Sequence, residues 1–371
     1  MNDQKRVLIF GMGRMGKAIS WCMSKFGNHI ISVDKDIDTS HGLDVPLDFL
    51  VAENENDYKR TMELCSPDLV ISSLPYFLNE SIAMMAIEKG IPYCDLGGSV
   101  PVSATINNHA EVHAKKPVIT DLGLAPGWVN ILAEEACDSF NEKIVEVKTM
   151  VGGLPVYKHN PPFNYTITWS IDGLINEYID DCQVLIGEQV SNQYGMEGLE
   201  DVYCRSIDEE LEAFYTSGGA SHSIKSMRDR GVENFSYKTL RYKGHNEIIK
   251  LLLRSKIDKS CVKETIQKIC TPNDPSSYFD FVIIKCIAIG QSGKTWDKEL
   301  KIKGGNVGKN SFSSMQKATS FGISCVAEQI VKGDIEGGKL GYKDVRYDKF
   351  NEYLNVLKEA WRDEDYEIPL K

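Results

Sequence analysis

The sequence predicts an α/β protein, with a parallel sheet flanked by helices in the N-terminal part and a second domain of the α+β type. Up to Pro126, short apolar runs typical of buried strands alternate with segments of helical spacing, which is the pattern of a parallel sheet covered on both faces. After Pro126 the strand-like runs become half polar, which favours an antiparallel or mixed sheet. At 371 residues the chain is long enough for about two domains.

The elements of the first part follow one another in a regular order. The first helix is marked by Met15, Ile19 and Met23, which repeat every four residues and so share one helical face. The predicted strands are 6–10, 29–33, 68–74, 91–96 and 117–123, and the predicted helices are 14–25, 81–90 and 104–116.

The second part has longer elements. Residues 143–151 and 235–242 are predicted to be half-exposed strands, because apolar and polar side chains mix along them. Two further runs, 280–290 and 295–303, flank the turn sequence QSGK and predict a hairpin. The predicted helices are 247–255 and 314–333, the latter ending at Gly333, and the tail with Trp361 has no assignment.

Charge and composition exclude several classes of function. The chain carries 42 Lys and Arg against 53 Asp and Glu, a net charge of −11, which disfavours nucleic acid and anionic membranes as partners. No apolar run approaches the ~18 residues of a membrane span, and the first residues lack the apolar core of a signal peptide. We therefore expect a soluble, cytoplasmic protein of enzymatic size whose partner is a small molecule.

The ten cysteines are spread along the chain without a C-x-x-C pair or a nearby group of histidines. In an intracellular chain of this size, reduced and buried thiols are the expected state. A structural zinc site is disfavoured by the same spacing, and we expect no metal.

A glycine motif, GMGRMG, follows the first predicted strand and opens the first predicted helix. Gly11 allows the tight turn, Gly13 leaves room for a pyrophosphate, and Gly16 permits close packing of helix against strand. The helix start, with Arg14 and Met15, then presents backbone N–H groups to the phosphates. This context predicts a Rossmann-type dinucleotide-binding domain. The alternatives are a turn that serves packing alone and a different nucleotide ligand such as FAD.

An acidic residue is expected about 20 positions further on, at the end of the next strand, where its carboxylate binds the ribose hydroxyls. Asp34 stands 18 residues after Gly16, directly behind the apolar run HIISV. A carboxylate there repels a 2′-phosphate, so the sequence predicts NAD rather than NADP. Lys35, beside it, would weaken that preference.

Ligands of an open parallel sheet bind outside the carboxyl ends of its strands. The residues that follow the later strands are therefore candidates for contact with the ribose and nicotinamide of the cofactor. These are Ser73, Leu74, Pro75 and Gly97.

Three side chains in similar positions are candidate catalytic residues: Tyr76, Asp95 and Asp121. Carboxylates there attract an ammonium group or relay a proton. Each residue also has a structural alternative. Tyr76 would be a core aromatic with a bonded hydroxyl, and the two aspartates would be helix N-caps or acceptors that order a loop.

Two candidates lie in the second domain, in the strand-to-helix corner KTLRYKGH. Arg241 has the planar donor set that holds a carboxylate in bidentate fashion, and a surface or interdomain ion pair is the alternative. His245, at the helix start, is either a general base or a cap. Lys238 and Arg241 are three residues apart on the strand, so they point to opposite faces. The sequence alone singles out no catalytic base.

Together, several motifs resemble the saccharopine dehydrogenase superfamily: GMGRMG, LPYFLNESIA, DLGG, DLGLAPGWVNILA, VGGLPV, WSIDGLINEY, EAFYTSGG and YKTLRYKGH. Within it the chain most resembles the lysine 6-dehydrogenases. The resemblance implies an N-terminal Rossmann domain, a C-terminal helix that returns to pack on it, and a central α+β domain with the substrate contacts and the oligomer interface. We therefore expect residues 1–127 and 311–371 to form the first domain and residues 128–310 the second.

The resemblance also implies NAD, in agreement with Asp34, and a homodimer or larger homo-oligomer. It implies oxidative deamination of the side-chain amine of L-lysine, or of a close amino-acid amine, to a semialdehyde that cyclises to a piperideine carboxylate. In this hypothesis Arg241 binds the α-carboxylate, Tyr76, Asp95 and Asp121 serve the amine end, and His245 is a further candidate base. Two alternatives stay open: an opine-type reductase that condenses an amine with a carbonyl compound, and a non-catalytic NAD-binding protein.

Overall fold

The structure, a computed structural model, describes residues 4–40, 42–158, 161, 163–167, 171–255, 258–271 and 279–361. The chain divides into two compact units. Unit 1 consists of Met1–Trp128, Gly305–Phe312 and Gln316–Lys371, and unit 2 consists of Val129–Gly304 and Ser313–Met315.

The strands, in chain order, are β1 (Arg6–Phe10), β2 (His29–Asp34), β3 (Leu47–Val51), β4 (Leu69–Ser72), β5 (Tyr93–Asp95), β6 (Val118–Ile119), β7 (Ile144–Pro155), β8 (Cys182–Ile186), β9 (Gln189–Gln193), β10 (Glu200–Cys204), β11 (Glu209–Tyr215), β12 (Asn234–Arg241), β13 (Asp280–Gly290), β14 (Thr295–Lys303), β15 (Gly305–Val307) and β16 (Asn310–Phe312). The helices are α1 (Arg14–Lys25), α2 (Glu55–Cys65), α3 (Asn79–Glu88), α4 (Val100–His113), α5 (Trp128–Asp138), α6 (Ile171–Ile179), α7 (Ser223–Asp229), α8 (His245–Arg254), α9 (Lys259–Cys270), α10 (Ser314–Lys332) and α11 (Tyr347–Ala360).

Unit 1 is built on a parallel sheet with the strand order β3-β2-β1-β4-β5-β6. This is the order of a Rossmann fold, in which the winding direction changes between β1 and β4. Strand β4 is buried along its whole length, and β1 is buried except at Arg6, as strands covered on both faces must be. The predicted parallel α/β fold is confirmed.

Helices cover the two faces of this sheet. One apolar core joins the sheet to α2, α3 and α4, and it contains Tyr58, Ile82 and Ile106 from these three helices. Helix α1 packs instead against the C-terminal segment, where the Sγ of Cys22 donates to Ser320 on α10 at 3.5 Å. The C-terminal helices thus belong to unit 1, as the resemblance implied.

The sequence analysis missed β3 and α2 in unit 1, as well as β15, β16 and α11. Strand β3 lies at the edge of the sheet and is mostly exposed or half-buried, so it lacks the apolar run that marks the other strands. Helix α2 is mostly polar, but it has a clear start signal: the side chain of Asn54 accepts from the N–H groups of Asn56 and Asp57.

Unit 2 contains a mixed sheet in the order β10-β11-β12-β7-β13-β14, with β8 paired to both β12 and β9. Strands β7 and β12 pair in parallel, whereas β13 runs antiparallel to both β7 and β14. The hairpin predicted around QSGK is the β13–β14 connection, with Gly293 at a φ of 83°. The predicted α+β second domain is confirmed.

The prediction of a half-exposed strand at 235–242 is wrong, because every one of these residues is buried. Strand β12 lies between β11 and β7, and an apolar cluster covers each of its faces. Leu240 belongs to one cluster, while Phe214, the cross-strand partner of Thr239, belongs to the other. The polar side chains of this strand are therefore held inside the unit.

All ten cysteines are free thiols; eight are buried, Cys65 is partly buried and Cys261 is exposed. Within the described ranges, no three or more His, Cys, Asp and Glu side chains are grouped so that they could hold a metal ion. None of the helices in the described part of the chain is long and apolar enough to cross a membrane.

Candidate active site

The glycine motif of unit 1 forms the turn between β1 and α1. Gly11 has a φ of +91°, and its N–H donates to the carbonyl of Val33 at 2.7 Å. A Cβ on Gly11 would lie 2.8 Å from the carbonyl oxygen of Ser73, and one on Gly16 would lie 1.8 Å from that of Gly11. Both positions therefore require glycine for packing.

Gly13 differs from its two neighbours in the motif. It is the N-cap of α1, no side chain caps the helix, and the first helical turn contains no acidic residue. A Cβ on Gly13 would meet no atom within 4 Å. Packing therefore does not require glycine here, whereas a pyrophosphate at the positive end of the helix would. This open cradle fits a dinucleotide.

Asp34 lies at the end of β2, beside the glycine turn. Its Oδ2 accepts from the N–H of Met12 at 2.6 Å, and its Oδ1 accepts from the N–H of Asp36 at 3.2 Å. These bonds hold the carboxylate where the sequence predicts the ribose hydroxyls to bind.

The remaining cofactor candidates surround the same turn or lie nearby in unit 1. Arg14 is exposed and Met15 is half-buried in the first turn of α1. The N–H of Ser73 donates to the carbonyl of Phe10 at 2.8 Å, so the chain after β4 runs beside the end of β1. Leu74 and Pro75 continue this segment, and both are accessible enough to contact a ligand.

Asp95 is fully buried at the end of β5 and accepts three hydrogen bonds. The Tyr93 hydroxyl donates to Oδ2 at 2.9 Å, and the N–H groups of Gly97 and Asp121 donate to Oδ1 at 2.8 and 3.0 Å. The loop-ordering alternative is confirmed for Asp95, and the N-cap alternative is wrong, because Ser99 occupies the N-cap position of α4. Burial, followed by the charge of Asp121, raises the pKa of Asp95 to about 7.

Asp121 has a φ of +62°, and its Oδ1 accepts from the hydroxyl of Ser103 at 2.6 Å. Gly97 lies against it with a φ of +73°, and a Cβ on Gly97 would come within 2.1 Å of the same oxygen. Asp95, Gly97 and Asp121 therefore form one closely packed, hydrogen-bonded cluster at the carboxyl ends of β5 and β6.

Tyr76 stands next to this cluster. A Cβ on Gly98 would lie 3.1 Å from the Cβ of Tyr76, so the side chain of Tyr76 packs beside Gly98. The side chain is 48% exposed, and the alternative of a core aromatic is wrong. Its hydroxyl is free to meet a ligand from solvent, and its catalytic role stays a prediction.

Arg241, in unit 2, ends β12 and is 4% exposed. Its Nε donates to the hydroxyl of Tyr178 at 3.0 Å, and one Nη donates to the carbonyl of Leu240 at 2.9 Å. The guanidinium lies over the ring of Tyr165, 4.5 Å from its centroid. These contacts fix the plane of the charged group.

No described carboxylate forms a salt bridge with Arg241, so the predicted surface or interdomain ion pair is wrong. Glu212 lies directly opposite on β11, but its carboxylate accepts from the N–H groups of Gly244 and Asn246 at the start of α8. A buried cation without a counter-ion is costly, and such groups mark anion sites.

His245 is the first residue of α8 and is fully buried. Its Nδ1 lies 3.3 Å from the carbonyl of Phe163, which can only accept, so Nδ1 carries the proton. Its Nε2, 3.0 Å from the Tyr178 hydroxyl, is then the acceptor, while that hydroxyl accepts from Arg241. Burial and then Arg241 lower the pKa of His245 to about 3, so the ring is neutral.

This geometry makes His245 the last member of a directed chain, from Arg241 through Tyr178 to the imidazole. The cap alternative is wrong, because Gly244 is the N-cap of α8 and the carboxylate of Glu212 accepts from the N–H groups at the helix start. The role of general base stays a prediction. Two observations argue against it: both ring nitrogens are already engaged by neighbouring groups, and the ring is neutral with a pKa of about 3.

Tyr178 and Glu177 were missed as site residues, although both lie in the motif WSIDGLINEY. Tyr178 continues the buried face of α6 begun by Leu174, four residues before it. A tyrosine on an apolar helical face must find a partner for its hydroxyl, and that signal was available in the sequence. Trp169 and Ser170 of the motif lie outside the described residues.

The structure brings the predicted residues together in three groups. The glycine turn lies with Asp34 and Ser73, Asp95 lies with Gly97 and Asp121, and Arg241 lies with His245. The first two groups belong to unit 1 and the third belongs to unit 2.

Comparisons with known proteins identify the family of the chain. The mitochondrial α-aminoadipic semialdehyde synthase of Mus musculus is 28% identical over 264 residues, which are 67% of this chain and 28% of that protein. The protein of the same name from Rattus norvegicus is 27% identical over 205 residues, 53% of this chain and 22% of that one. The matches therefore span about a quarter of the length of these relatives.

Among solved structures, apo saccharopine dehydrogenase (L-Glu forming) from Saccharomyces cerevisiae has the same fold, with a TM-score of 0.71. The match covers 97% of this chain and 99% of that one at 15% identity. Residues 7–119 match the saccharopine dehydrogenase NADP binding domain, and residues 123–363 match the saccharopine dehydrogenase C-terminal domain. The chain therefore belongs to the saccharopine dehydrogenase family.

Proposed function

We propose that this protein is an NAD-dependent dehydrogenase that oxidatively deaminates the side-chain amine of L-lysine or of a close amino-acid amine. The reaction converts the amine, water and NAD to ammonia, NADH and the semialdehyde, which cyclises to a piperideine carboxylate. The homo-oligomeric assembly implied by the resemblance and the cytoplasmic location expected from the composition are part of this proposal.

The observation that carries the proposal is the buried guanidinium of Arg241. Its orientation is fixed by Tyr178 and Tyr165, and it has no carboxylate partner among the described residues. A ligand carboxylate would supply the missing anion through two parallel hydrogen bonds. This favours an amino acid over a simple amine or an alcohol as the substrate.

The relatives support the choice of lysine. The two mammalian proteins are named for the synthesis of α-aminoadipic semialdehyde, which is the compound formed when the side-chain amine of lysine is oxidised and hydrolysed. The matched NADP-binding domain supports a nicotinamide cofactor.

Asp34 supports NAD over NADP. Its carboxylate is held by the N–H of Met12, and a 2′-phosphate on the adjacent ribose would meet this negative charge. When bound, the nicotinamide would accept a hydride from the carbon that carries the amine.

The residues of the chain would hold the substrate and move protons. Arg241 would bind the α-carboxylate, while Tyr178 and His245 keep the guanidinium in place. Loss of hydride requires a neutral amine, so a proton must leave the ammonium group before that step. Tyr76, Asp95 and Asp121 remain the candidates for this amine end.

The proposal is tested by incubating the protein with L-lysine and NAD and measuring NADH and ammonia together. We expect lysine-dependent NADH with an equal amount of ammonia, and a higher kcat/KM with NAD than with NADP. The second candidate is an opine-type reductase, which the match to the saccharopine dehydrogenase C-terminal domain supports. It would give no ammonia from lysine, but a secondary amine from an amine, a keto acid and reduced cofactor.

A further inference from the structure

One face of strand β12 carries an unusual row of buried polar side chains. Residues of alternate number share a face, so Tyr237, Thr239 and Arg241 lie on the same side of the sheet. All three are less than a tenth exposed. Helix α6 approaches this side, because the hydroxyl of Tyr178 lies 3.0 Å from the Nε of Arg241.

Glu177 precedes Tyr178 on the same helix. Its backbone lies beside β12, because Ser217, which is hydrogen-bonded to it, follows Thr216, whose hydroxyl lies 2.8 Å from the hydroxyl of Thr239. From there the charge of Glu177 acts on both Tyr237 and Arg241. The helix end is fixed there, because the N–H of Ser217 donates to the carbonyl of Glu177 at 2.9 Å.

The carboxylate of Glu177 has no partner of its own. It is partly buried, yet no described group donates a hydrogen bond to it and it forms no salt bridge, even with Arg241. Opposite charges are thus held near each other on one face without pairing. Each loses hydration by burial and gains no oppositely charged partner in return, which is the arrangement of a site whose ligand supplies the partners.

We infer that Arg241 and Glu177 together bind the head group of an α-amino acid, with the carboxylate on Arg241 and the α-ammonium on Glu177. The two charges of this head group are attached to one carbon, so they match a cation and an anion that lie close but do not touch. The inference rests on the proposed function in taking an amino acid as the substrate. It adds a residue that selects for the α-amino group and leaves the reacting amine to other residues.

The test compares L-norleucine with hexanoate, which share the carboxylate and the carbon chain and differ by the α-ammonium. Neither has a side-chain amine, so binding can be measured by calorimetry whether or not the protein deaminates lysine. The full-length protein is used with NADH at saturation. We expect L-norleucine to bind at least tenfold more tightly than hexanoate, and Glu177→Gln to reduce that ratio to nearly one by weakening L-norleucine alone.

Glu188→Gln is the matched control, since Glu188 is an exposed residue of unit 2 that pairs with Lys143. It should keep the wild-type ratio, and both variants should unfold at about the wild-type temperature. The inference is overturned if the wild type binds the two acids equally, if it binds neither, or if Glu177→Gln keeps the full ratio. Failure of lysine oxidation together with an intact ratio would overturn the proposed function alone.

Discussion

Arg241 shows how one residue links the fold to the chemistry. A buried guanidinium without an anion destabilises the folded state, because its lost hydration is not replaced by a carboxylate. Its contacts with Tyr178, Leu240 and Tyr165 offset part of this cost and fix the orientation of the charged plane. The same group is then preorganised for a ligand carboxylate.

We expect Arg241→Ala to raise the KM for L-lysine at least tenfold, on the order of 1.4 kcal/mol, with a smaller change in kcat. The substitution removes the cationic partner of the substrate carboxylate and leaves the cofactor residues of unit 1 intact. Lys243→Ala is the control, because Lys243 is exposed and pairs with Asp201 and Glu210 on the surface. An unchanged KM in a folded Arg241→Ala protein would remove Arg241 from the site.

Asp95 gives a prediction about stability. Its folded-state pKa of about 7 lies above the ordinary value of 3.8, so the folded chain holds a proton that the unfolded chain has lost. The free energy of unfolding should therefore fall as the pH rises from about 4 to about 7, by something on the order of 2–4 kcal/mol for this group.

Asp95→Asn removes this titration and retains an oxygen acceptor for the N–H groups of Gly97 and Asp121. Chemical unfolding of both proteins at pH 5 and pH 8 measures the difference. We expect the wild type to lose more stability between the two pH values than the variant does. Equal losses would show that Asp95 is already ionised in the folded protein at pH 5.

At the scale of elements, the three glycines in the turn between β1 and α1 differ in what requires them: packing requires two of them, and ligand binding is the reason for the third. Gly11 and Gly16 are fixed by contacts with the backbone of the protein itself, whereas a Cβ on Gly13 would point into open space. A glycine that packing does not require is evidence for a ligand that approaches the backbone closely.

Gly13→Ala should therefore leave the free energy of unfolding almost unchanged and weaken NAD binding at least tenfold, because the methyl group would occupy the pyrophosphate position. Gly16→Ala should instead lower the free energy of unfolding by about 1–3 kcal/mol, because its Cβ would overlap the carbonyl of Gly11. Calorimetric binding and denaturant unfolding of both variants separate the two roles. Loss of stability without loss of NAD binding in Gly13→Ala would contradict this division.

The sequence predicted the elements whose signals are local. The turn from β1 to α1 follows from glycine spacing and from an apolar run placed before a helical pattern, and the hairpin at 280–303 follows from QSGK. Strand β3 was missed because an edge strand carries no continuous apolar run. The exposure of strand β12 was misjudged because its polar side chains are buried against partners on other elements, Lys238 with Glu200 and Arg241 with Tyr178, which no local pattern records.

The residues of the candidate site were also predicted only in part. Arg241 and Asp34 were found from chemistry and position, since each stands at the end of a strand. Glu177 was missed because it becomes a candidate only through its electrostatic interaction with Tyr237 and Arg241, which lie on another element, β12. Sequence spacing alone does not predict which residues that are distant in sequence lie close together in the fold.

At the scale of the whole molecule, each of the two units has apolar clusters of its own, and each carries different candidate site residues. Unit 1 holds the dinucleotide turn and the Asp95–Asp121 cluster, and unit 2 holds the charged face of β12. The first family model, residues 7–119, lies within unit 1, whereas the second, residues 123–363, covers unit 2 and much of the C-terminal segment of unit 1. The proposed reaction requires both units, so neither match alone defines the substrate.

The central claim is that hydride leaves the side-chain carbon of lysine. The most direct measurement uses L-lysine deuterated at that carbon, with NAD, and mass spectrometry of the NADH formed. We expect one deuterium in each NADH, and none when the label is placed on the α-carbon instead. NADH labelled from the α-carbon, or no lysine-dependent NADH at all, would contradict the account.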